Sequence, residues 1–179
     1  SDSVIKDLVA NISVPIHINT NSFSTSTVEE ISSLNNPKIT LNNDIIGHLG
    51  KTGNWFSNLK DDQTVFEKSV ENANQLYIDV SHYQNAGANN IQQLAYALAH
   101  VNEYLNHLDA KLSEDKKETL KVTFNVAVGS NYFFEIAKLR TLRALWATLA
   151  ETYAVNTNCR ITATPSKRNK TIYDYNVNM

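Results

Sequence analysis

One histidine and a group of basic residues are the side chains in this sequence that could carry chemistry. His82 directly follows a predicted strand and precedes a long predicted helix, and in α/β proteins that junction lies on the functional face. The same position also fits a histidine that caps a loop or hydrogen-bonds within it. Lys167, Arg168 and Lys170 follow the last predicted strand, where they could bind phosphate groups or form an ordinary basic loop.

The other histidines and the acidic residues favour a solvated surface over a site. His17 and His48 are weaker candidates, and His100 and His107 lie seven residues apart in one helix, without the spacing of a two-histidine zinc motif. The mixed charges of residues 114–118 predict a solvated turn. The sequence contains no G-x-S-x-G elbow, no paired Cys–His nucleophile signature and no carboxylate cluster for a metal. The residues alone therefore indicate no metal site and no complete catalytic set.

Strand-like and helix-like segments alternate along the chain. Short β-branched or alternating runs predict strands at residues 14–18, 38–42, 76–80, 121–127 and 160–164. Helical patterns occupy residues 4–11, 26–34, 64–72, 89–112 and 131–153. Strands separated by helices pair in parallel through right-handed crossovers, so we expect an α/β fold, either an open sheet or a barrel. The pattern does not assign residues 42–62.

The two later helices have the clearest apolar periodicity. Their apolar residues recur at steps of three and four, which predicts a buried stripe on each helix. The stripe residues are Ile91, Leu94, Ala95, Leu98, Val101, Leu105 and Leu108 in the first helix, and Phe133, Ile136, Leu139, Leu142, Leu145, Trp146 and Leu149 in the second.

Composition and charge narrow the classes of protein. The 179 residues are 42% hydrophobic, which is sufficient for one sizeable core, and a net charge of -2 gives no reason to expect nucleic acid or a membrane as partner. The single cysteine, Cys159, cannot form an internal disulfide and is expected to be a small buried side chain. No apolar run approaches the roughly 20 residues that span a bilayer, and residues 1–10 lack a signal-peptide layout. We therefore expect a soluble, cytoplasmic protein.

Two blocks in the second half of the sequence are distinctive. Residues 131–146, NYFFEIAKLRTLRALW, resemble the NFF-E-AKLRA-R-LW helix of methylmalonyl-CoA mutases. Residues 82–88, HYQNAGA, and the helix after them resemble the H-Q-AGA loop and the ELAYTLADG-EY helix of the same family. The blocks occur in the family's order and spacing, and residues 174–178 are similar to its DPYNN segment. The resemblance covers residues 75–179 well and the first 74 poorly.

The resemblance implies a substrate-binding (β/α)8 barrel joined to a separate cobalamin-binding domain. Together these interconvert methylmalonyl-CoA and succinyl-CoA by a radical rearrangement on adenosylcobalamin. The family's loop histidine hydrogen-bonds the substrate thioester carbonyl, which implies the same donor role for His82. Residues 1–179 would then be a fragment of the barrel, and the cobalamin-binding domain, with its D-x-H-x-x-G motif, would be absent. About five parallel strands cannot close an eight-stranded barrel, so the fragment could self-associate through an open sheet edge.

Several positions depart from the family's pattern. Lys121 and Thr123 replace an arginine and a serine that meet CoA, and lysine keeps the charge but loses the guanidinium fork. Thr162 and Thr164 replace a substrate-facing histidine and glutamine. The segment that supplies an arginine for the substrate carboxylate and the stretch that carries the catalytic tyrosine have no counterpart.

These losses favour the small, non-catalytic subunit of a heterodimeric mutase, which would pair with and stabilise the large catalytic subunit. The fragment would neither bind adenosylcobalamin nor catalyse alone. Two alternatives stay open. One is a divergent, catalytically competent mutase barrel that uses His82, and the other is a module that binds a CoA ester without turnover.

Overall fold

Strands and helices alternate along the chain in the computed structural model, which describes residues 14–19, 23–34, 36, 38–174 and 176–178. The strands of this part are β1 (Ile16–Ile18), β2 (Ile39–Leu41), β3 (Gln75–Asp79), β4 (Lys121–Val128) and β5 (Cys159–Pro165). The helices are α1 (Thr25–Ser33), α2 (Ile45–Thr52), α3 (Leu59–Ala73), α4 (Ser81–Asn85), α5 (Asn90–Leu108), α6 (Glu114–Thr119) and α7 (Tyr132–Thr152). The predicted α/β class is confirmed. The predicted helix at residues 4–11 lies outside the described residues.

The described strands form two sheets, with orders β1-β2 and β3-β4-β5. Strand β1 runs parallel to β2, and β4 runs parallel to β5. The described strands are thus the five that the sequence pattern predicts, and they do not close a barrel. The chain divides into two compact units, residues 1–77 and 78–179.

In the first unit, helices α1 and α3 pack together around Val28 and Phe66, which are fully buried. Residues 42–62, which the pattern left unassigned, contain α2 and the first turn of α3. Both helices begin at a polar cap: Asp44 Oδ1 accepts from the Gly47 N–H at 2.7 Å, and Asn58 Oδ1 accepts from the Asp61 N–H at 3.0 Å. Such caps satisfy amide groups that a helix start leaves without partners, so α3 begins five residues earlier than predicted.

In the second unit, β4 and β5 pair from Val122 opposite Cys159 to Val128 opposite Pro165. Phe124 of β4 packs edge-on against Trp146 of α7, with ring centroids 5.7 Å apart, and both side chains are fully buried. Because successive side chains of a strand point to opposite faces, Thr123 and Asn125 lie on the face of the sheet that is turned away from α7.

The predicted apolar stripes are partly wrong. Ile91 and Ala95 of α5 are exposed, as are Phe133, Ile136 and Leu145 of α7. The residues that α5 and α7 bury are Gln93, Ala97, His100, Val101, Tyr104, Leu105 and Leu108, and Lys138, Leu142, Trp146 and Ala150. Each helix is apolar over more of its circumference than its neighbours cover, so periodicity alone could not locate the contacting stripe.

Two predictions of solvated residues are also corrected. Residues 114–118 lie in the short helix α6 rather than in a turn, and Lys117 there is buried because its ammonium group donates to Asp109 Oδ1 at 2.8 Å. His100 is 3% exposed rather than solvated, and its Nδ1 lies 3.3 Å from the Tyr83 hydroxyl. A polar partner makes each burial tolerable.

Among the described residues, no helix is both long enough and apolar enough to cross a membrane.

Candidate functional site

A row of polar side chains lies on the face of the β3-β4-β5 sheet that is turned away from α7. The parallel register sets Arg160 beside Thr123, Thr162 beside Asn125, and Thr164 beside Ala127. Asp79 of β3 belongs to the same face, because the Asn125 Nδ2 group donates to its Oδ1 atom at 3.0 Å. We call Asp79, Thr123, Asn125, Thr162 and Thr164 the polar sheet face.

Asp79 organises the carboxyl end of β3. Its Oδ1 atom accepts from the Ser81 N–H at 3.1 Å, from the Ser81 hydroxyl at 2.6 Å and from Asn125 Nδ2. Asp79 and Asn125 are 5% and 7% exposed. The Asn125 Oδ1 atom is shielded from solvent and has no hydrogen-bond partner among the described residues. A buried acceptor without a donor costs about 1–3 kcal/mol, so this oxygen is suited to a ligand that brings an N–H or O–H group.

His82 lies in the first turn of α4, directly after β3. Its ring is half-buried, stands 3.9 Å from the ring of Tyr83, and has both nitrogens shielded from solvent. Tyr83 in turn contacts the rings of Tyr96 and His100. The histidine therefore belongs to an aromatic cluster at the carboxyl end of β3, and its contact with a substrate carbonyl stays a prediction.

The predicted substrate-contacting positions do not all converge. Thr123, Thr162 and Thr164 share the polar sheet face, and the Thr164 hydroxyl donates to the Val126 carbonyl at 3.2 Å. Lys121 is exposed at the opposite end of β4, about 23 Å from the carboxyl end at ~3.3 Å per residue. The structure thus brings three of the predicted side chains together, all hydroxyls, and leaves Lys121 at the far end.

The backbone of the basic segment after β5 is held by hydrogen bonds to the rest of the chain. Lys167 and Arg168 lie in a one-turn 3-10 helix, where the Lys167 N–H donates to Asn85 Oδ1 at 2.8 Å and the Arg168 N–H donates to the Ser166 hydroxyl at 3.1 Å. The Lys170 ammonium donates to the Asn178 carbonyl at 2.7 Å. Both the Lys167 and the Arg168 side chains are exposed, as in an ordinary basic loop.

A buried ion pair near the same strand ends was missed at the sequence level. The Lys138 ammonium group lies 2.5 Å from Glu135 Oε2 and donates to Gln93 Oε1 at 2.9 Å and to the Ala127 carbonyl at 2.8 Å. Its side chain is 2% exposed. Lys138 joins α7 to α5 and to the end of β4. The available signal was spacing, because Lys138 lies four residues before Leu142, in the buried stripe of α7.

A pocket of about 580 Å³ opens beside this ion pair. It is lined by the end of α4, the start of α5, the β4–α7 loop, the start of α7 and the segment after β5. Gly129 lies in the loop, and Glu135 and Phe134 lie on the helix. The residues of the polar sheet face do not line it, so it is a separate site. Within the described ranges, no group of three or more His, Cys, Asp or Glu residues could hold a metal ion.

Polar groups at the carboxyl ends of parallel strands lie where α/β proteins commonly have their functional sites. The family model described as methylmalonyl-CoA mutase matches residues 10–179. The chain belongs to the methylmalonyl-CoA mutase family, which confirms the resemblance stated above.

Relatives include both kinds of mutase subunit. The methylmalonyl-CoA mutase small subunit of Porphyromonas gingivalis is 38% identical over 109 residues, 58% of this chain and 18% of that protein. The small subunit of Streptomyces virginiae is 33% identical over 119 residues, 65% of this chain and 19% of that protein. The human mitochondrial methylmalonyl-CoA mutase is 40% identical over 85 residues, 47% of this chain and 11% of that protein. The chain thus matches less than a fifth of the length of each.

Proposed function

We propose that this chain is part of the substrate-binding barrel of a small, non-catalytic methylmalonyl-CoA mutase subunit. Its role is to pair with the large catalytic subunit in a heterodimer and stabilise it, in the reducing cytoplasm. The supporting observation is which residues occupy the positions that face the substrate according to the family resemblance, and what those residues contact. Thr162 and Thr164 carry short hydroxyl side chains there, the Thr164 hydroxyl is used by the backbone of β4, and Lys121 is at the other end of the strand.

The proposed partnership of two subunits also has support from the relatives. Proteins named as small and as large subunits occur in the same organism, Porphyromonas gingivalis, and the chain is similar to both, at 38% and 36% identity. Within the described residues β5 is the outer strand of its sheet. Its exposed edge is a place at which two copies of the chain could associate. Sedimentation of the chain over a range of concentrations tests that association.

The buried His100 is not placed to ligate cobalt. The sequence lacks the D-x-H-x-x-G motif, and the buried His100 is engaged by Tyr83 and Tyr104 through its ring. We therefore assign adenosylcobalamin to the holoenzyme and derive no step of the rearrangement from this chain.

A second candidate function is the binding of a CoA ester. The chain would bind it without turnover, or with turnover if the barrel is a divergent, catalytically competent mutase. One observation favours it: the shielded Asn125 Oδ1 atom lies on the polar sheet face and suits a ligand that brings an amide N–H, as the CoA arm does. Beyond it, at the carboxyl end of β3, is His82. A histidine there could donate a hydrogen bond to a carbonyl whose charge changes during a reaction.

The test uses the full-length protein that carries this chain, assembled with the large subunit. We expect His82→Ala to leave both heterodimer formation and mutase turnover within about twofold of wild type, because a structural subunit does not contact the reacting atoms. Tyr96→Ala, in the same aromatic cluster, is the matched control for loss of packing.

A tenfold or larger fall in kcat/KM with His82→Ala, with the heterodimer intact and the control unaffected, would contradict the structural role. Calorimetric titration of the unassembled protein with methylmalonyl-CoA distinguishes the CoA-ester-binding function from the purely structural one. Saturable binding that weakens with Asn125→Leu would support a CoA-ester site.

A further inference from the structure

We draw no further inference here: the strongest candidate, the exposed apolar patch of Ile91 at the start of α5 and Tyr132, Phe133 and Phe134 at the start of α7, carries nothing because nothing in the structure shows what covers it.

Discussion

Replacing the buried Lys138 by methionine should cost the chain much of its stability. Methionine keeps an unbranched apolar side chain but removes the ammonium group that contacts Glu135, Gln93 and the Ala127 carbonyl. Glu135, whose side chain is 13% exposed, then holds a charge without a counter-ion. Removing one partner of a buried ion pair costs ~3–5 kcal/mol, which is a large part of the ~5–15 kcal/mol that stabilises a typical domain.

The measurement is urea unfolding followed by circular dichroism, with the free energy of unfolding extrapolated to water. Lys117→Met is the matched control, because Lys117 pairs with Asp109, whose side chain is 53% exposed, and a partly solvated pair contributes little to stability. Adding Glu135→Gln to Lys138→Met should restore part of the loss, since it removes the uncompensated charge. A loss in Lys138→Met below ~1 kcal/mol, or equal to that of the control, would refute this account of the ion pair.

Three further predictions concern pH and backbone conformation. The hydrogen bond from Lys117 to Asp109 raises the pKa of Lys117 above its ordinary 10.5. The stability from this pair is therefore present below pH 10.5 and is lost as the pH rises through the higher pKa of the folded state. If the difference in unfolding free energy between wild type and Lys117→Met stayed unchanged at still higher pH, the prediction would be contradicted. Burial raises the pKa of the Cys159 thiol above 9.0, against the opposing charge of Arg143. Because the thiolate is the reactive form, iodoacetamide should alkylate Cys159 more slowly at pH 8 than it alkylates free cysteine. Equal rates would contradict this prediction. Asn74 ends α3 in the left-handed conformation, with φ 48°. Because alanine is strained there and glycine is not, Asn74→Ala should lower the unfolding free energy by about 1–2 kcal/mol, whereas Asn74→Gly should have little effect. Equal losses in the two variants would exclude a conformational cause.

The sequence pattern was sufficient for the fold class because strand and helix signals alternate clearly. Strand β4, for example, was predicted at residues 121–127 and observed over Lys121–Val128. Helix α2 was missed because it has only eight residues, two of them glycines, and depends on its Asp44 cap. Short helices that are stabilised by a cap and by packing leave little periodic signal.

Buried polar residues were the main failure of the sequence-level prediction. His100 was expected in solvent, and Lys138 was given no role, because their partners Tyr83 and Gln93 lie 17 and 45 residues away in the chain. Polarity alone argues for exposure, and only a specific tertiary partner reverses that preference.

The candidate site was foreseen only in part. The position of His82 after a strand was visible from the pattern, and the family resemblance pointed to Thr123, Thr162 and Thr164. The pairing of Asp79 with Asn125 depends on the order of β3 and β4 and on strand register, which a single sequence does not specify.

Mutase turnover by the full-length protein that carries this chain tests the central claim most directly. The rate of conversion of methylmalonyl-CoA to succinyl-CoA is measured with adenosylcobalamin, with the protein alone and with the large subunit added. The account predicts no turnover by the protein alone and turnover when the large subunit is present. Turnover by the protein alone would contradict the structural-subunit role and favour a divergent, competent mutase barrel.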